Sequence, residues 1–104
     1  MKNEDFIITK EDVPEATRLT ITGRVDSINA DKFQYKLNEA LSNKKANIII
    51  NMLNVDYLCS SGIRVILKAY KDARENGGTL GIENPSESVR KLLVITSLDK
   101  TLIL

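Results

Sequence analysis

One hundred and four residues, 42% hydrophobic and 28% charged, describe a single soluble globular domain spanning 1–104. A formal net charge of +1 gives no electrostatic case for nucleic acid or a membrane surface as partner. One cysteine and no histidine exclude an internal disulfide, a Ser-His or Cys-His nucleophile pair built from this chain alone, and a zinc site of histidines or of cysteines only.

The opening stretch "DFIITKED" is short and β-prone, and "VPEA" interrupts it with a proline. "TRLTITGRV" alternates Leu19 and Ile21 inward against Arg18, Thr20 and Thr22 outward, the period of a half-buried strand. The two are expected to pair as an antiparallel hairpin at one side of a sheet. "DSINADKFQYKLNEALSNKK" switches to helical spacing, with Ala30, Phe33, Leu37, Ala40 and Leu41 on one face and Ser27 or Asn29 as cap. "ANIIINMLNV" then runs apolar without alternation. Ile48, Ile49, Ile50 and Met52 suit a central strand covered on both faces.

"NVDYLCSSGIRVILKAYKDA" places two serines and the cysteine where strand gives way to helix. Ile63, Ile66, Leu67, Tyr70 and Ala73 share a helical face, so a helix is predicted over 61–75. Asn76 to Gly78 stops it, because glycine tolerates left-handed terminal geometry. Leu80 and Ile82 mark a short strand, Ser86 caps a brief helix with Val89, Leu92 and Leu93 inward, and "TLIL" reads as a last strand. The fold class is therefore α/β. A mixed, mostly parallel sheet of about five strands is expected in the order β-β-α-β-α-β-α-β. Whether all helices share one face stays open.

No apolar run approaches membrane-spanning length, and no leader pattern opens the chain, so a cytoplasmic protein without membrane insertion is expected. No catalytic residue, metal site or cofactor is predicted, and the chain is not expected to be an enzyme. It has no Walker-type glycine-rich loop, so any ATP belongs to a partner. An uncovered sheet edge would permit a homodimer without requiring one.

Taken together, "TITGRVDSINADKF" and "NIIINMLNVDYLCSSGIRVILKAYKDARENGGTLGIENPSESVRKLLVITSLDK" resemble the STAS family, the sulfate-transporter and anti-sigma-factor-antagonist domain, over essentially the whole chain. The resemblance is to a strand with a glycine-x-aliphatic-aspartate turn, then a buried strand, a serine-serine-glycine helix start, a double glycine and a short helix with a leucine-aspartate element. The bacterial anti-sigma factor antagonists are the nearest likeness. That likeness implies a partner switch: the unphosphorylated antagonist binds an anti-sigma factor that is also a serine kinase, and phosphorylation of a serine at the start of the second helix breaks the complex and so regulates transcription. Position by position, the phosphoacceptor would be Ser60, followed by Ser61 and Gly62, and Asp26 corresponds to the family aspartate near that site. Three departures stand out, one being that many antagonists carry a further helix after the last strand, whereas this sequence ends at Leu104. Cys59 occupies the place of the usual aspartate before the acceptor, and Ser97 replaces glycine in the late threonine-glycine-leucine element.

The implied partner-binding set is Asp26, Cys59, Ser60, Ser61, Gly62 and Arg64. Four of these residues also admit other readings. Ser60 could serve only as a helix cap, Asp26 as turn support and Arg64 as a solvated surface charge. Cys59 could be a redox-sensing thiol or a small buried hydrophobe. Two functions compete: the phosphorylation-switched antagonist, and an unswitched STAS interaction module such as a cytosolic subunit of a transporter or sensory complex.

Overall fold

The computed structural model describes residues 6–42 and 46–104. Its elements are β1 (Ile7–Val13), β2 (Ala16–Val25), α1 (Ala30–Leu41), β3 (Asn47–Leu58), α2 (Ser60–Glu75), β4 (Thr79–Glu83), α3 (Glu87–Ile95) and α4 (Asp99–Leu102). The sheet runs β1-β2-β3-β4, with β1 antiparallel to β2 and the other neighbours parallel. The expected hairpin is present. Val13 pairs with Ala16 across a two-residue loop in which Pro14 is followed by Glu15 at φ 64°. Proline at the first corner and positive φ at the second is the chemistry of a type II turn.

One face of the sheet carries the core. Leu19 and Ile21 of β2, Ile48, Ile50 and Met52 of β3, and Leu80 and Ile82 of β4 are all buried. They form one cluster with Phe33 and Leu37 of α1, Ile66, Ala69 and Ala73 of α2, and Val89 and Leu93 of α3. Each enclosed leucine, isoleucine or phenylalanine contributes about 1.5–3 kcal/mol over leaving it in water. The helices thus share one face, which answers the point the periodicity left open. The expectation that the central strand is covered on both faces is corrected: Asn47, Ile49 and Asn51 are only half-buried. Over them lies a polar ladder in which Glu83 accepts from Arg18 Nε at 2.8 Å and from Asn51 Nδ2 at 2.9 Å.

The end of the chain also departs from expectation. "TLIL" is not a fifth strand. Residues Asp99–Leu102 form one helical turn, and only Ile103 bridges to Ile82 beside β4. Leu102 is apolar and turns into the core, so helical geometry here satisfies both burial and the leucine–aspartate start. Leu104 N donates to Ile82 O at 2.9 Å, and the Leu104 side chain lies against the bare α-carbon of Gly81.

Two helices stop in the same way. After α2, Gly78 N donates to Ala73 O and Gly77 N to Arg74 O, with Gly77 at φ 83°. After α3, Leu98 N donates to Leu93 O and Ser97 N to Val94 O, with Ser97 at φ 61°. Both are Schellman terminations, one built on glycine and one on serine.

Candidate functional site

Parallel strands deliver their carboxyl ends to the same edge of the sheet, and helices that follow start there. In β2 and β3, Val25 is the register partner of Leu58, so the chain leaves both strands side by side. The Cys59 amide donates to Val25 O at 2.9 Å, which ties the start of α2 to the end of β2. Gly62 allows this closeness. A Cβ there would come within 2.7 Å of Leu58 Cδ1 and 2.8 Å of Val25 Cγ1. Gly62 is therefore buried, and it belongs to the site by seating the helix rather than by presenting a side chain.

The plain capping role of Ser60 is not what the structure contains. Cys59 holds the cap position in extended backbone, φ −88° and ψ 174°, and its side chain makes no cap hydrogen bond. Ser60 is the first helical residue and is exposed. Ile63 N donates to Cys59 O at 3.1 Å to open the helical ladder, so the amides of Ser60, Ser61 and Gly62 are its free first-turn donors. The first turn of α2 carries no acidic residue, whereas α1 has Asp31 and α3 has Glu87 there. The site therefore combines an exposed hydroxyl with a positive backbone end that carries no carboxylate in its first turn.

Asp26 braces the neighbouring turn. Its Oδ1 accepts from the amides of Ile28 at 3.0 Å and Asn29 at 2.9 Å. Asn29 occupies the cap position of α1 without capping it; its side chain donates instead to Arg24 O at 2.9 Å. Ser27, the other expected cap, is exposed. The turn lies beside the start of α2 because the Val25–Cys59 bond joins the two.

Between α1 and α2 the structure holds an open cleft of about 310 Å³ lined by Ser27, Asp31 and Gln34 on one side and Ser61, Arg64 and Lys68 on the other. Ser61 and Arg64 belong to the predicted set. Ser27, Asp31, Gln34 and Lys68 do not, and no local pattern singles them out, since some thirty residues separate the two walls. Next to Ser27 in the chain, Ile28 is 82% exposed. Arg24 stacks over Tyr57 with its guanidinium carbon 4.4 Å from the ring centroid. A larger hollow of about 510 Å³, between Phe6 and Ile8 on one side and Tyr35 and Lys36 on the other, contains no residue of the predicted set. Among the described residues no group of three potential metal ligands comes together. No described helix is long and apolar enough to cross a membrane.

Comparison with known proteins gives one consistent family. The model of the STAS domain matches residues 8–104. An anti-sigma-B factor antagonist of Bacillus subtilis is 32% identical over 81 residues, covering 78% of this chain and 73% of that protein. An anti-sigma factor antagonist from Mycobacterium paratuberculosis superposes with a TM-score of 0.85 at 19% identity, over 97% of this chain and 86% of that one. The Bacillus cell fate determinant SpoIIAA in its phosphorylated form superposes with a TM-score of 0.74 at 20% identity, over 93% and 89% of the two chains. The last two likenesses concern the fold.

Proposed function

This chain belongs to the STAS domain family, and on that premise we propose that it is an anti-sigma factor antagonist switched by phosphorylation of Ser60. The observation that carries the reading is the exposed Ser60 hydroxyl at the first position of α2, where capping does not occupy it. Its partner in this reading is an anti-sigma factor with serine kinase activity, docking over Asp26, Cys59, Ser60, Ser61 and Arg64, with Gly62 setting the helix beneath. The antagonist is a binding protein, and the ATP and the phosphoryl transfer belong to the partner.

The physics of the switch is local. A phosphate adds about −1.5 to −2 charges at the positive end of α2, which favours an anion by about 0.3–2 kcal/mol. The domain stays folded, while the docking surface gains that negative charge. Burying that charge against an apolar or acidic partner surface costs about 3–4 kcal/mol, a loss of several hundredfold in affinity.

The test is to incubate the chain with its cognate anti-sigma factor, ATP and Mg²⁺, map the product by mass spectrometry, and measure binding of Ser60→Ala and Ser60→Asp. Phosphate on Ser60, with binding kept by Ser60→Ala and lost by Ser60→Asp, supports the switch. A chain that takes up no phosphate and binds equally well as Ser60→Asp overturns it and leaves an unswitched interaction module.

A further inference from the structure

Arg64 lies four residues after Ser60 on α2, so the two share a helical face one turn apart. Helical side chains lean towards the amino end, which carries the Arg64 guanidinium back towards Ser60 rather than away from it. Both residues are exposed. The charges around Arg64 are few. Lys68, the next basic residue along the cleft, is held by Asp72 at 3.0 Å, and Asp31 faces the cleft from α1. Asp26 stands in the neighbouring turn with Oδ1 bound to backbone amides. Arg64 itself has no ion pair among the described residues.

We infer that phosphorylation of Ser60 recruits Arg64 into an intrahelical pair, so that the switch removes a cation from the docking surface as well as adding an anion. The inference rests on Ser60 being the phosphoacceptor. A phosphate offers three acceptor oxygens and nearly twice the charge of a carboxylate such as Asp31 on the other wall of the cleft, and arginine binds it through two parallel N–H donors. In the unmodified chain Arg64 stays in the cleft beside Ser61, available to an acidic group of the partner. In the modified chain it folds along α2 onto the phosphate, and the cleft loses its free positive charge.

The test uses the full chain with phosphoserine installed at position 60 by semisynthesis or genetic encoding, and reads the phosphate's second pKa by ³¹P NMR titration. With arginine at 64 that pKa lies about 0.15–0.4 unit below its value in Arg64→Gln at low salt, the shift expected of a helical ion pair. Arg64→Lys retains part of the shift, because it keeps the charge but not the planar fork. High salt narrows the difference. Indistinguishable pKa values in all three chains overturn the pairing. Because the phosphate is installed chemically, a chain that no kinase modifies still reports on Arg64. A kinase that modifies Ser60 in a chain with no shift leaves the switch standing and removes only the pair.

Discussion

Arg18 and Glu83 meet across the central strand, Nε to Oε2 at 2.8 Å, although β3 lies between the strands that carry them. Glu11 approaches the same guanidinium at 3.7 Å from β1, and Asn51 reaches the same carboxylate oxygen from β3 at 2.9 Å. One ladder of side chains thus stitches all four strands on the face that no described helix covers.

The hydrogen bond from Asn51 is the largest influence holding the Glu83 carboxyl below its ordinary value of 4.5; burial opposes it, and the hydrogen bond and charge of Arg18 reinforce it. A carboxyl whose pKa is lower in the folded chain stabilises the fold above its unfolded pKa. That stabilisation fades as pH falls through the folded value. Urea midpoints measured from pH 7 down to pH 3 are expected to drop on the acid side, and Glu83→Gln should flatten that limb. An acid limb identical in Glu83→Gln would remove Glu83 from the account.

Cys59 holds the cap position of α2 in extended backbone without capping it. Cys59→Asp supplies a side-chain oxygen for a first-turn amide and a negative charge at the positive helix end. A gain of about 0.5–1.5 kcal/mol at pH 7 is expected, read as a raised denaturation midpoint at unchanged slope. An unchanged midpoint would mean that the aspartate side chain does not reach the free amides.

Ser97 terminates α3 at φ 61°, where Gly77 terminates α2 at φ 83°. A residue with a Cβ is strained there, so Ser97→Gly relieves it and should stabilise by about 0.5–1 kcal/mol. Gly77→Ser, the mirror experiment, should destabilise by a similar amount. Calorimetry of the pair checks both signs.

Gly78 is the least replaceable glycine. A Cβ there would run into the backbone of Ala46, and Thr79 N donates to Ala46 O at 3.1 Å in the same place. Backbone cannot rotate aside as a side-chain tip can, so Gly78→Ala is expected to cost about 2–4 kcal/mol. Thermal melts compared with Gly62→Ala, where the obstructing atoms are the side chains of Leu58 and Val25, should show the larger loss at Gly78.

The sequence by itself determined the strands β1 to β4 and the helices α1 to α3, and placed the start of α2 to within one residue, because those depend on periods of two and about 3.6 residues that each segment carries alone. The inward positions of β2, α1 and α3 follow from the same periods, and so does the place of Ser60. What each segment packs against is not written in its own period. Only the tertiary structure decided that all helices cover one face, that "TLIL" turns as a helix and leaves a single bridge, and that Arg18 reaches Glu83 over the other face. It also moved the cap position from Ser60 to Cys59 and brought Ser27, Asp31 and Gln34 opposite Ser61 and Arg64, since the Val25–Cys59 bond joins segments that lie more than thirty residues apart along the chain. Local patterning encodes how much of a side chain leaves water. The partner it meets there is fixed by strand order and by the close approach that one bare α-carbon, at Gly62, permits.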